Sequence, residues 1–243
     1  MIIYHGSDKE VKQPLFGYGK PDNDYGSGFY ATKNVESARE WAVINGQPEQ
    51  AICNCYILDT DNLNILYLNE YGTLAWIAEI IANRGANNAI DEEIGQMIVE
   101  KYKVDTSNVD VIIGYRADDS YIKIVDSFLE GKLTIDEVDM MFRKGKLGMQ
   151  VFIKSHKAFD SIIFTGSETV AEKHTYGDYD RIARKEVTDY LNKRERAILI
   201  EGFDVASKGL TVRDAINHQL GYDSGYYYIT DEYEGRDNGY ERS

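Results

Sequence analysis

With 243 residues, a net charge of −14 and an isoelectric point near 4.7, the chain repels phosphate backbones. That excludes indiscriminate nucleic-acid binding, though not a local basic groove for one strand. A composition of 43% hydrophobic and 28% charged residues is ordinary for a globular protein that can bury a sizeable core. Two cysteines and four histidines make no zinc pattern, and no run approaches ~18 apolar residues, so a reduced, cytoplasmic chain without metal or membrane span is expected.

In chain order, residues 2–5 read as a short strand ending at Gly6, and residues 7–25 are rich in turn formers. Phe29–Thr32 is predicted as a strand, followed by a helix to about Asn45 with Asn34 as its N-cap. Ala51–Leu58 reads as a strand, with Cys53 and Cys55 on one side and poorly placed to bond each other. Asn62–Leu68 is extended, Thr73–Asn83 and Ala89–Tyr102 are helical, and Val109–Tyr115 is a strongly apolar strand. Helices are predicted over Ser120–Leu129 and Thr134–Lys144, the second opened by a Thr134/Glu137 capping box. Gln150–Lys154 and Ser161–Thr165 read as strands.

After Gly166 charges of both signs mix, and Arg194–Ala206 and Leu210–Leu220 read as helices. The spacing predicts three parts: an α+β region over 1–165, a helical extension over 166–228, and a poorly ordered acidic, tyrosine-rich tail over 229–243. Neither a dinucleotide-binding glycine fingerprint nor a P-loop is present.

Three segments stand out: Tyr4-His5-Gly6-Ser7, then Gly26-Ser27-Gly28-Phe29-Tyr30, then Ala38-Arg39-Glu40-Trp41. Together they resemble the NAD-binding half of the ADP-ribosyltransferases of the diphtheria-toxin and poly-ADP-ribose-polymerase fold. With Arg116-Ala117-Asp118-Asp119-Ser120-Tyr121 and Gln150-Val151-Phe152-Ile153, the chain looks like a bacterial and phage branch of uncharacterised proteins placed with those enzymes. The resemblance covers about residues 1–165. It implies split antiparallel β-sheets with flanking helices, NAD as co-substrate, and transfer of ADP-ribose to an acceptor. Protein is favoured as acceptor over bulk nucleic acid. It also implies a toxin–antitoxin or phage-conflict setting with a small partner protein.

Cutting NAD at its nicotinamide–ribose bond needs aromatic faces for the departing ring, close backbone approach for its carboxamide, and an acceptor near the developing oxocarbenium charge. The resemblance places His5 on a ribose, Gly6 with Ser7 at the carboxamide, Tyr30 stacked on nicotinamide and Trp41 on the other ring face. Ala38 stands where the polymerase branch has a serine, and Gln150 stands where the family has its catalytic glutamate. A neutral amide there forgoes about 3 kcal/mol of charge stabilisation, which suits slow single transfer better than chain elongation. Arg116 could grip a pyrophosphate, with Asp118 or Asp119 orienting ribose or acceptor; equally, either aspartate could cap the following helix. Glu168 is a weaker carboxylate candidate. Besides a mono-ADP-ribosyltransferase, the residues are compatible with a non-catalytic NAD or ADP-ribose binder, an NAD glycohydrolase, or an interaction protein with a vestigial cleft.

Overall fold

The computed structural model describes residues 1–45, 50–85, 89–117, 119–144, 148–170, 173–202, 209–223 and 225–230. The chain opens with β1 (Ile2–Ser7), β2 (Phe29–Thr32), α1 (Val35–Asn45), β3 (Ile52–Leu58) and β4 (Ile65–Tyr67), then a 3-10 turn over Leu68–Tyr71. There follow α2 (Thr73–Arg84), α3 (Ala89–Tyr102), β5 (Val111–Tyr115), α4 (Asp119–Leu129), α5 (Ile135–Lys144), β6 (Met149–Ile153), α6 (His156–Asp160) and β7 (Ile162–Thr169). A long α7 (Lys173–Glu201), a short α8 (Val212–Asn217) and a hairpin of β8 (Leu220–Asp223) and β9 (Tyr226–Ile229) complete it.

The first seven strands form one mixed sheet in the order β4-β5-β6-β2-β1-β3-β7. Only β4 and β5 run parallel. The α+β class therefore holds, but the expected pair of separate antiparallel sheets is one continuous sheet. The reason lies in the join. β1 and β2 share a single register pair, Tyr4↔Thr32, whereas β1 pairs with β3 along its whole length, from Ile2↔Ile57 to Ser7↔Ile52. One residue pair fastens two well-formed halves, β4-β5-β6-β2 and β1-β3-β7.

Alternation along the strands sorts the cores. On β6, Phe152 enters a cluster with Trp76, Ile77 and Ile80 of α2 and Phe128 of α4. Its neighbours Val151 and Ile153 face the other way, into a cluster with Phe29 and Ala31 of β2 and Ile3, Tyr56 and Leu58 of β1 and β3. That second cluster draws on both halves, so they fold toward each other around it. α1 covers the outer face of β1 and β3 through Ala38, Ala42 and Cys53. Both cysteines are free thiols.

Local signals act as expected at two helix starts. Asn34 Oδ1 accepts from the N–H groups of Glu36 and Ser37 at the head of α1. Thr134 and Glu137 exchange hydrogen bonds as a capping box before α5.

The region after residue 166 differs from expectation. β7 runs through the boundary placed at 165, and α7 is one helix through Arg194, where a new helix was predicted. Residues 203–206 of that predicted helix lie outside the described residues. Leu220–Ile229 is a hairpin rather than helix and tail, because its tyrosines alternate in burial with period two. This region also feeds the main core, through Val187, Val212, Ala215 and Leu220. Tyr227 Oη accepts from the Leu74 N–H at 2.7 Å, supplying at the start of α2 the cap that Gly72 cannot. The rest of the predicted tail, 231–243, lies outside the described residues.

Candidate functional site

The candidate site lies at the seam between β1 and β2. Beyond Tyr4 the two strands have no register partners in each other, so β1 leaves β2 at His5 and Gly6. The His5 ring spans the opening instead, its Nδ1 2.7 Å from the Tyr30 carbonyl oxygen. A carbonyl only accepts, so Nδ1 carries the proton and Nε2 is left as an acceptor. Burial lowers the His5 pKa, with the Tyr30 bond opposing it, so the ring is neutral at pH 7.

A cavity of about 310 Å³ opens there, within the range of small-molecule sites. Its walls include His5, Gly6, Tyr30, Trp41, Arg116 and Gln150. Six residues singled out from distant parts of the sequence thus meet in one space. Gly6 is required by its neighbours: a Cβ there would stand 2.0 Å from the Ala38 oxygen and 2.4 Å from the Ala42 nitrogen, both backbone atoms of α1. Its lack of a side chain lets α1 lie against β1, which carries Trp41 to the cavity rim.

Ser7 is not part of the cavity; its hydroxyl donates to the Lys9 carbonyl and accepts from Asn54 Nδ2. Asp118 lies outside the described residues. Asp119 begins α4, and its side chain is likewise outside the described part. Glu168 sits elsewhere, 2.6 Å from Arg39 Nε in a separate cleft beside Cys53 and Cys55.

The cavity wall also holds residues the sequence did not flag: Asn23, Asp24, Arg84 and Ala117. Asp24 is the centre of this group, only 7% exposed. Its Oδ1 lies 2.9 Å from Arg84 of α2. Its Oδ2 accepts from Gln150 Nε2 at 2.6 Å and from the Ala117 N–H at 3.0 Å. A carboxylate taken out of water survives only with such partners. Asp24 therefore ties the loop before β2 to the ends of α2, β5 and β6.

Tyr30 does more than offer a ring. Its hydroxyl donates to the Gly26 carbonyl at 2.7 Å and accepts from the Tyr25 N–H at 3.0 Å, clamping the turn that carries Asp24. Gly26 closes that turn at φ +85°, a conformation side chains rarely adopt. Next to it, Tyr25 Oη and Trp76 Nε1 both donate to the Tyr115 carbonyl, at 2.6 and 3.0 Å. Burial pushes the Tyr25 and Tyr30 hydroxyls above their ordinary pKa, so both stay protonated.

The Arg116 guanidinium lies over the Trp41 ring, 5.0 Å from its centroid. The ring face expected to stack on a ligand base is thus partly covered by a cation. Among the described residues that line the cavity, Arg84 and Arg116 stand with the single carboxylate of Asp24 in a chain of −14.

A larger cavity of about 900 Å³ lies between α3, α4 and α8, lined by Ile94, Leu129 and Val212 among others. It holds none of the flagged residues. Among the described residues no group of three His, Cys, Asp or Glu side chains could hold a metal ion, and no helix is long and apolar enough to cross a membrane.

Neither a curated protein nor a solved structure matches the chain. Residues 1–164 match the family described as protein of unknown function (DUF3990), and the chain belongs to that family.

Proposed function

We propose that this protein is an NAD-dependent mono-ADP-ribosyltransferase, with the seam between β1 and β2 as its NAD cleft and an ADP-ribosyltransferase-like arrangement of the two sheet halves. The observation that carries the reading is the convergence of His5, Gly6, Tyr30, Trp41, Arg116 and Gln150 on one cavity. The resemblance assigns five of those positions to NAD, Arg116 suits a pyrophosphate by its own chemistry, and chain folding brings them together from β1, β2, α1, β6 and the residue after β5.

The residues suit the parts of NAD. The Nε2 lone pair of His5 and the Oε1 of Gln150 can each accept from a ribose hydroxyl. Tyr30 offers an aromatic face for nicotinamide. Arg84 and Arg116 supply positive charge for the pyrophosphate. In the reaction the bond between ribose C1′ and the nicotinamide nitrogen breaks, its electron pair leaving with the nitrogen. The acceptor's lone pair then forms the new bond to C1′, and the acceptor's proton passes to solvent. The neutral amide of Gln150 offsets the developing charge less than a carboxylate, so turnover is slow and ends after one unit. The acidic surface favours a protein acceptor over bulk nucleic acid.

Two observations favour a second reading, a non-catalytic NAD or ADP-ribose binding module: the amide at position 150, and the guanidinium covering Trp41. Titration of the full chain with NAD, followed by free-nicotinamide release over hours, separates them, with Tyr30→Ala as control. Binding and release, both lost in the control, support the transferase or, where water is the acceptor, a glycohydrolase. Binding without release supports the module. No binding at millimolar NAD defeats both.

A further inference from the structure

We propose that Asp24 is a positioning residue of this site: it locks the Gln150 amide so that the cavity presents an oxygen acceptor, which selects a ligand hydroxyl and turns away an anion or carbonyl at that point. This rests on the reading that the cavity takes NAD.

Both groups facing Gln150 Nε2 can only accept. One is Asp24 Oδ2 at 2.6 Å and the other is the Tyr115 carbonyl at 3.4 Å. Turning the amide over would set Oε1 against two acceptors, so its orientation is decided by chemistry. Oε1 must then point away from Asp24, and among the described residues nothing donates to it. Gln150 is 4% exposed and lines the cavity, so its amide stands almost out of water at the cavity wall.

Asp24 is itself immobilised. Arg84 holds Oδ1, the Ala117 N–H holds Oδ2, and Asn83 Nδ2 donates to the Asp24 carbonyl at 3.3 Å. The carboxylate is thus fixed from α2 and from the end of β5 before any ligand arrives. Its negative charge behind the amide also polarises the amide toward Oε1. A glutamine alone could present either end to a ligand. With Asp24 behind it, it presents one.

The test is calorimetric affinity of the full chain for NAD and for two analogues, each with one hydroxyl of the nicotinamide ribose replaced by fluorine, which cannot donate. Wild type should prefer NAD over one analogue by about tenfold, the worth of one such bond. Asp24→Asn should bring that ratio toward one, because an amide behind Gln150 can donate or accept, and a turned Gln150 offers its NH2 to hydroxyl and fluorine alike. The swap Asp24→Asn/Gln150→Glu should restore it, since the introduced carboxylate only accepts and the introduced amide can donate to it. A purely structural role for Asp24 would weaken all three ligands equally and leave the ratio at tenfold; that result overturns the proposal, as does a folded swap variant that fails to restore it. The swap keeps net charge, so it remains informative where the single variant fails to fold. If wild type binds no NAD at millimolar concentration, the NAD reading has failed instead. The lock is then read from the Gln150 side-chain amide by nuclear magnetic resonance. Slow solvent exchange of its protons that Asp24→Asn speeds up supports it, and a freely exchanging wild-type amide refutes it.

Discussion

Gln150→Glu is the obvious substitution, because it restores the carboxylate that the resembling enzymes carry. The geometry says it should destabilise the protein. Gln150 Nε2 stands 2.6 Å from Asp24 Oδ2, and the substitution puts a second carboxylate oxygen in that place. Even relaxed to a separation of about 4 Å, two such charges repel by about 4 kcal/mol at an effective dielectric of 20. Arg84 beside Asp24 offsets part of this. A net loss of about 2–4 kcal/mol at pH 8 follows, equivalent to a rise of about 1.5–3 units in one pKa of the coupled pair. The sign then fixes the pH dependence. The folded variant keeps a proton that the unfolded chain releases above about pH 4.3, so its stability relative to wild type is whole below that pH. It falls as pH rises to about 6–7 and is level above that. Urea unfolding of both proteins from pH 5 to 8 measures the difference directly. A pH-independent difference, or a variant as stable as wild type at pH 8, would refute the close Asp24–Gln150 pairing. Since the introduced carboxyl is ionised only there, any gain in nicotinamide release from this variant should appear only at the alkaline end.

Three further outcomes are expected. Because burial lowers the His5 pKa, the unfolded chain binds more protons below about pH 6.5, and stability should fall as pH drops through that value; His5→Gln should flatten this part of the urea-midpoint profile. Gly6→Ala should cost about 3 kcal/mol and abolish NAD binding, because the new methyl meets backbone of α1 rather than a side chain that can yield; an unchanged thermal midpoint would contradict the packing of α1 on β1. Tyr30→Phe keeps the ring but strands the Gly26 carbonyl and the Tyr25 N–H, at a cost of about 1–3 kcal/mol. It should also weaken NAD titration, and unaltered affinity would show that the Asp24 turn holds without the clamp.

Local chemistry was the legible part. The apolar run of β5, the Asn34 cap and the Thr134/Glu137 box depend on near neighbours, and their patterns survive in the fold. Of the residues lining the cavity, Gly6, Tyr30 and Trp41 could be singled out one by one, since a glycine or a large aromatic is conspicuous in a short segment. Asp24 was not. It sits among turn formers, where a carboxylate is ordinarily solvated, and its partners Arg84, Ala117 and Gln150 lie 60, 93 and 126 residues away. No spacing rule reaches that far; only the arrival of α2 and β6 beside the loop buries it. The single sheet was hidden for a related reason, since one register pair at Tyr4↔Thr32 decides between one sheet and two. In α7 the mixed charges obscured the helix, yet they are used: Arg194 pairs with Glu137 of the α5 capping box at 3.0 Å.

The seam itself argues for a ligand. Full pairing of β1 with β2 would satisfy the backbone of both strands, as β1 and β3 do along their whole length. The chain instead parts them after one pair and bridges the gap with a side chain, His5 to the Tyr30 carbonyl, while Gln150 to Asp24 ties β6 to the loop before β2 beside it. If the gap served only packing, apolar side chains would fill it at no loss, and replacing buried charges by them is often stabilising. What lines it is Asp24 against Arg84, Arg116 over Trp41, and two acceptors, His5 Nε2 and Gln150 Oε1, held in fixed directions. A buried acceptor left without a donor costs about 1–3 kcal/mol that packing does not recover. A ligand with hydroxyls for the acceptors, an aromatic ring for Tyr30 and negative charge for the arginines would recover it on binding.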